Sequence, residues 1–466
     1  MPRTRRSGKP AVDVDAVVIG AGPAGLASAR SLRRRGLEYR QFEKGSMVGG
    51  LWQIDNDNGA AAAYRTLHLN TSRHRTQFRS DPMPEHWPDY PSHELMARYF
   101  EDVADRHGLT QQITFNSEVT AVEPRPCDGA PGRAGWRVTA AGGEQVTTGA
   151  VLVANGHHAV PKVAVLPGSF DGERFHSHAY RDPEVFAGKR VLVIGVGNSG
   201  MDIACDAALL AEHVLLSTRH GVHVLPKYAF GRPIDHLSLP AGAYLPFRAE
   251  RALYELIVRL VVGRPEDRGL PTPDHRLLEA HPTASAQLYD RVGHGDIEVV
   301  GDVTELDGGH VRFADGRREP VDLIVDATGY EVTLPFLAPE VLAVEANRLE
   351  LYQRVVPPGR PGLYLVGFVQ SVGANIALME HQAEWIAELI TGRCVLPPVD
   401  QMQAWIAADR QQLAARYLRS ERHTMQVDYW RYLRAIAIER ARRRNPVARA
   451  VQQTLVPTRV LRSRSG

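Results

Sequence analysis

A chain of 466 residues, 44% of them hydrophobic and 23% charged, is too long for one hydrophobic core and has the composition of a globular protein of two or three domains. Its formal net charge of +2 supplies no field that would recommend nucleic acid as a partner. The three cysteines, Cys127, Cys205 and Cys394, are scattered and form no Cys-x-x-Cys pair, which argues against a disulfide framework, a metal centre and a dithiol reductase.

The basic residues Arg3, Arg5, Arg6 and Lys9 lead into no apolar core, so the start does not read as a secretory signal. Nowhere do about 18 apolar residues run together, so no integral membrane anchor is expected and the cytoplasm is the default location. The apolar run Ala16-Val-Val-Ile19 then predicts a buried parallel strand, and Gly20-Ala-Gly22-Pro23-Ala24-Gly25 follows it into a helical pattern. In that context the first glycine permits a sharp turn, the second lets backbone approach a pyrophosphate, and the third lets helix pack on strand. The next strand, Tyr39-Arg-Gln-Phe42, ends at Glu43, a carboxylate suited to the free diol of an adenosine ribose.

The signature recurs. Val191-Leu-Val-Ile194 predicts a second buried strand, followed by Gly195-Val-Gly197-Asn198-Ser199-Gly200 and a helix. Here the following strand, Val214-Leu-Leu216, ends in Ser217-Thr218-Arg219-His220 with no acid. Hydroxyls and a guanidinium suit a ribose bearing a 2′-phosphate, which a carboxylate would repel. One such glycine motif alone is often only a strand-to-helix turn; two in context with complementary endings assign FAD to the first unit and NADPH to the second.

The strand and turn Val151-Leu-Val-Ala-Asn-Gly156 reads as the first unit's return, and Leu323-Ile-Val-Asp-Ala-Thr-Gly-Tyr330 as the second's. Leu363-Tyr-Leu-Val-Gly367 and a helical pattern from about Asn375 to Ile390 return to the first unit. The expected fold is α/β, two Rossmann-like dinucleotide-binding domains, with the NADPH domain inserted in the FAD domain and a helical C-terminal cap. The boundaries are 11–165 and 325–400 for the FAD domain, 166–324 for the NADPH domain with a helical insertion near 235–285, and 401–466 for the C-terminal segment with its basic tail. Two crossings between domains would act as a hinge beside the active-site cleft. Within the insertion, Tyr244 to about Val262 is an apolar helical stretch, read as an internal helix covering the core or lining a passage in preference to one resting on a membrane. The arginines from Arg440 to Arg464 read as a solvated tail.

Between the two glycine motifs, Phe170-Asp-Gly172-Glu-Arg-Phe-His176-Ser-His-Ala-Tyr180 fits the pattern Phe-x-Gly-x-x-x-His-x-x-x-Tyr/Phe that marks the flavin-containing monooxygenases. The chain resembles that family further in Gly49-Gly50-Leu51-Trp52, Leu69-Asn70-Thr71-Ser72-Arg73, Phe78-Arg-Ser-Asp-Pro-Met-Pro84, Asn155-Gly-His-His158, Asp326-Ala-Thr-Gly-Tyr330 and His423-Thr-Met-Gln-Val-Asp-Tyr429. Related Baeyer-Villiger enzymes carry Trp where Tyr180 stands, so the resemblance leans to the heteroatom-oxidising branch. Departures are Arg73 for a usual lysine, Asn155 for a frequent threonine, and an ending at Thr458–Gly466 without the hydrophobic anchor of mammalian relatives.

The resemblance implies site residues. Glu43 would bind the FAD ribose, and Gly50, Leu51 and Trp52 would lie along the flavin. Asn70, with Thr71 beside it, would stand at flavin and nicotinamide as the one residue assigned a catalytic role. From the residues alone, Asn70 reads as a turn cap before Thr71-Ser72 in preference to a site residue, and only the resemblance reverses that. His176 would order the linker and couple it to NADPH, while His157 and His158 read as linker residues. Gln382, in the Asn375–Ile390 pattern, is counted with the cofactor-binding residues. The implied chemistry is hydride transfer from NADPH to flavin, addition of dioxygen as a C4a-hydroperoxide, and transfer of one oxygen atom to an amine nitrogen or sulfide sulfur of a small molecule. Retained NADP+ would shield that species from water. Baeyer-Villiger oxygenation of ketones, or NADPH oxidation without oxygen transfer, are the alternatives. The resemblance favours a homodimer and leaves the physiological substrate open.

Overall fold

A computed structural model describes residues 13–125, 135–238, 240, 244, 246–285, 287–417 and 424–442. Cys127, His423, the N-terminal basic residues and the arginines beyond Arg442 lie outside the described residues. The first apolar run becomes the strand Val14–Ile19, near the middle of a seven-stranded sheet. It pairs in parallel with Tyr39–Phe42 on one side and Gln145–Val153 on the other. Both of its faces are covered. Ala16 and Val18 pack with Leu26 and Trp385, while Val17 and Ile19 pack with Trp136 and Phe336. Such two-sided burial is why the sequence reads as a continuous apolar run and does not alternate.

The second run is the strand Arg190–Ile194, inside a five-stranded parallel sheet ordered Glu298–Val300, His213–Ser217, Arg190–Ile194, Leu323–Asp326, Glu173–His176. Here too alternate residues enter opposite cores, Val191 and Val193 on one face, Leu192 on the other. Leu363–Leu365 then pairs in parallel with Gln145–Val153, Leu365 opposite Val153, so the second sheet is inserted within the chain that builds the first. The two crossings bond to each other: Val160–Pro161 lies antiparallel to Tyr330–Glu331.

The helix Asn375–Ile390 packs on Pro23–Arg34, the helix that follows the first glycine turn. Arg30 of the latter is buried between Asp81 and Glu380, which ties the two helices to the turn after Phe78. The C-terminal helices Val399–Arg416 and Tyr429–Ala441 complete this layer through Met402, Tyr432 and Ile436.

The apolar stretch in the insertion differs from expectation. It forms the helix Phe247–Val261, but Arg251 is its only buried residue, and Leu253, Leu256 and Leu260 are 54%, 53% and 70% exposed. One face meets the C-terminal helices, with the Arg416 guanidinium 3.3 Å from the centre of the Phe247 ring; the leucine face is open. Periodicity identifies such a helix without saying how many of its faces find partners. No helix among the described residues is long and apolar enough to cross a membrane.

Candidate functional site

Each glycine turn sits at the carboxyl end of its central strand, where parallel α/β sheets open toward ligands. Gly20 and Gly195 have φ of +101° and +109°, which side-chain-bearing residues rarely adopt. The third glycines are required by contact. A Cβ on Gly25 would lie 2.0 Å from the Gly20 carbonyl oxygen, and one on Gly200 would lie 1.9 Å from that of Gly195. Gly22 and Gly197 begin the following helices in extended conformation without a capping side chain, so the first-turn amides meet no local acceptor of that kind. Such ends attract an anion. Pro23 takes the first helical position, where no amide is needed.

Glu43 is buried at the end of Tyr39–Phe42 and accepts from Ala21 N at 2.6 Å, Gly45 N at 2.9 Å and Asn58 Nδ2 at 2.9 Å. A carboxylate has about four lone-pair sites, so a further donor such as a ribose hydroxyl can be accommodated. The turn Gly50–Trp52 lies against this loop, the Gly22 Cβ position being 3.6 Å from Gly50 Cα, and Leu51 and Trp52 are half-buried there.

In the second unit the strand-end hydroxyls bond within the protein. Ser217 Oγ donates to Gly301 O at 2.8 Å and Thr218 Oγ1 to His220 O, so both are engaged in holding the loop. Arg219 is exposed at the strand end, with no bonded partner among the described residues, while neighbouring His220, also exposed, faces Asp274 at 2.9 Å. Asn198 also has a local task, its Oδ1 accepting from Ala284 N at 3.1 Å. Ser199 lies beside it, half-buried in the first helical turn.

Gln382 is buried with both ends of its amide used: Oε1 accepts from Gly367 N at 2.9 Å and Nε2 donates to Tyr432 Oη at 2.6 Å. It therefore shapes the backbone at Gly367, while one Nε2 hydrogen and one Oε1 lone pair are left over. His176 ends the edge strand beside Asp326, and its Nδ1 accepts from His178 N at 3.0 Å. The rings of His158, His176 and His178 all lie 5.1–5.7 Å from Tyr330, and the His157 ring lies 4.2 Å from that of His158 at a tilt of 59°, so these histidines gather at the crossings. Burial holds the His176 and His178 rings below the ordinary histidine pKa.

Asn70 is half-buried on a segment running between the units, and its Oδ1 is enclosed without a partner. A buried acceptor left open is costly unless something donates to it. Thr71 bonds within the segment, to Thr76 Oγ1 at 2.9 Å. The residues flanking Asn70 are held from the second unit: Lys227 Nζ donates to Leu69 O at 3.1 Å and Asp235 Oδ2 accepts from Ser72 N at 2.6 Å. Burial lowers the Lys227 pKa, with Asp202 opposing the shift. Upstream, Tyr64 donates to Asp202 Oδ2 at 2.9 Å, and Thr66 and Tyr180 donate to Asp206 Oδ2. Burial raises the carboxyl pKa of both acids, that of Asp202 to about 6. Sequence reasoning missed Lys227, Asp235, Asp202 and Asp206; the last two were legible only as polar positions on an otherwise buried helix, and the first two carried no local signal.

Comparison with known proteins adds a lineage to this geometry. The family model described as flavin-binding monooxygenase-like matches residues 14–448. Flavin-containing monooxygenase 5 of Oryctolagus cuniculus is 35% identical over 436 residues, covering 90% of this chain and 81% of that protein. Dimethylaniline monooxygenase [N-oxide-forming] 2 of Mus musculus is 34% identical over 446 residues, covering 91% and 82%. Among solved structures, S-allyl-L-cysteine S-oxygenase from Allium sativum superposes with a TM-score of 0.68 at 26% identity, covering 94% of this chain and 91% of that one.

Proposed function

The chain belongs to the flavin-binding monooxygenase-like family, and from that premise we propose that it is an FAD- and NADPH-dependent monooxygenase that transfers one oxygen atom to a soft nucleophile, an amine nitrogen or a sulfide sulfur. The observation that carries the reading is the unpartnered Asn70 Oδ1 on a segment between two glycine turns, one ending at a carboxylate and the other at a bare guanidinium. Both cradles fit a dinucleotide: a methyl group at Gly25 or Gly200 would strike backbone.

Flavin reduced by NADPH supplies the activation of dioxygen. The protein's own contribution is positioning. Glu43 and the amides after Gly20 and Gly22 would hold the first dinucleotide, with the turn Gly50–Trp52 packed beside that cradle. The second glycine turn and Arg219 hold NADPH by its phosphates, the guanidinium answering the 2′-phosphate. Asn70 accepts a hydrogen bond through Oδ1 from the group that fills the cleft, which fixes that group and keeps water from it. A soft nucleophile needs only access, so no acid or base is assigned on this chain. The names of two relatives, one N-oxide-forming and one an S-oxygenase, favour heteroatom transfer over ketone oxygenation.

The test is to give the purified protein NADPH, isotopically labelled dioxygen and a panel of tertiary amines, thioethers and ketones, with mass spectrometry of the products. Labelled N-oxides or S-oxides are expected. Labelled esters or lactones alone would move the protein to ketone oxygenation, and hydrogen peroxide without labelled product would make it an oxidase.

A further inference from the structure

Asn70 belongs by chain order to the first unit, yet the backbone groups that bracket it are held by the second. The carbonyl before it, that of Leu69, receives Lys227 Nζ at 3.1 Å. The amide two residues after it, that of Ser72, donates to Asp235 Oδ2 at 2.6 Å, and Ser72 Oγ meets His236 Nε2 at 3.3 Å. Arg75 continues the pattern by donating to Ser238 O at 2.7 Å. All four partners fall within residues 227–238 of the second unit. At the other end of the segment, Tyr64 is buried in the second unit's core and bonds Asp202. The first unit's share includes the backbone pairs Leu69 N to Pro91 O and Arg73 N to Asp89 O, and Arg73 Nη2 donating to Glu85 O at 2.8 Å.

Lys227 is suited to this task and to no solvent-facing one. It is half-buried, its Nζ lies 5.1 Å from the centre of the Tyr90 ring, and the Tyr90 hydroxyl donates to Lys227 O. The Asp202 carboxylate opposes the loss of its charge on burial. A cation withdrawn from water in this way keeps its charge only through fixed partners, and one of them is the Leu69 carbonyl.

We propose that Lys227 and Asp235 are positioning residues for Asn70, gripping the peptides on either side of it so that its amide is correctly presented only while the second dinucleotide unit is docked. The role rests on the reading of Asn70 given above. Coupling of this kind travels through a defined element, the segment Tyr64–Thr76, that both units hold. It means the cleft becomes competent to protect its contents when both units close on one strap, not when either nucleotide site is merely filled.

The experiment compares Lys227→Met, Lys227→Arg and Asp235→Ala with the wild type, all as flavin-loaded full-length protein. Hydrogen exchange by mass spectrometry reads the segment directly. Flavin content, anaerobic reduction by NADPH, and the ratio of hydrogen peroxide to oxygenated product are measured beside it. For Lys227→Met and Asp235→Ala the expected result is several-fold faster exchange in peptides spanning 67–76, unchanged exchange in 14–42, near-normal flavin reduction and a several-fold larger peroxide fraction. Lys227→Arg, which can still donate to the carbonyl, is expected to restore both exchange and coupling. If exchange in 67–76 stays at the wild-type rate, or all regions loosen together, the grip does not exist as described. Loosening of the segment without a change in the peroxide fraction would equally overturn the role. Should Lys227→Met fail to fold, Asp235→Ala and Lys227→Arg carry the same two readouts. A wild type that forms no oxygenated product would sink the reading of function, while the exchange measurements would still decide whether the grip is there.

Discussion

The two glycine turns share a backbone and differ in what surrounds it. Both have a first glycine near φ +100° and a third glycine packed on the first one's carbonyl. At the first, the strand beyond ends in a buried carboxylate that already bonds the loop; at the second it ends in an exposed guanidinium with two engaged hydroxyls. The helices behind them contrast as well. The first buries a cation, Arg30, between two acids, and the second buries two acids, Asp202 and Asp206, against hydroxyls from Tyr64, Thr66 and Tyr180. The shared part makes a dinucleotide cradle, and the unshared part decides which dinucleotide and how its helix joins the rest.

The sharpest way to separate the two cradles is to fill each in turn. Gly25→Ala places a methyl group 2.0 Å from a backbone oxygen, and Gly200→Ala places one at 1.9 Å, distances no side-chain adjustment relieves. Gly25→Ala is expected to purify with its bound flavin lost, read as visible absorbance per chain. Gly200→Ala is expected to stay yellow but to show no saturable reduction by NADPH. An exchange of these phenotypes would reverse the assignment of the two units.

A smaller effect tests the strand ends. Removing a charge-assisted contact to the 2′-phosphate costs about 1.5–3 kcal/mol, roughly a ten- to hundredfold loss of kcat/KM. Arg219→Ala should lose that much with NADPH and little with NADH, in steady-state kinetics with each cofactor. Ser217→Ala should change the preference far less, because its hydroxyl is committed to Gly301 O. Equal losses with both cofactors for Arg219→Ala would leave the preference for NADPH without a residue to explain it.

What could be read in the sequence divides along the same line. The strands Val14–Ile19 and Arg190–Ile194, their glycine turns, Glu43 and the helix Asn375–Ile390 were legible because each rests on neighbours a few residues apart. The insertion of one unit in the other followed from the order of strand-and-turn pairs. Where the Ser217 and Thr218 hydroxyls turn was not legible, because position at a strand end does not set it; here nearby carbonyls accept from both. The two protein partners of Gln382, Gly367 N and Tyr432 Oη, were not legible in its local sequence either. Lys227 and Asp235 stand more than 150 residues from the peptides they hold, and nothing in their local sequence marks that contact. The exposed leucines of Phe247–Val261 were unreadable for the same reason, since which face is covered depends on helices far along the chain.

The smallest expected effect sharpens the contrast between the helices. Arg30 pairs with two carboxylates, whereas burial raises Asp202 to about 6 from an ordinary 3.8, with Tyr64 and Lys227 lowering it and Asp206 adding to the rise. The folded protein therefore holds a proton on Asp202 more tightly than the unfolded chain does. Its contribution to stability is fully present below the unfolded pKa and is lost as pH rises through the folded one, a window of about pH 4 to 6. Asp202→Asn keeps the acceptor for Tyr64 and removes the titration. The melting temperature of the variant relative to wild type should climb as pH goes from about 4 to about 7, most of the change falling before 6.5. A difference that stays flat across that range would mean that Lys227 neutralises Asp202 fully. The second helix would then be charge-paired like the first, and the contrast between them would reduce to the strand ends alone.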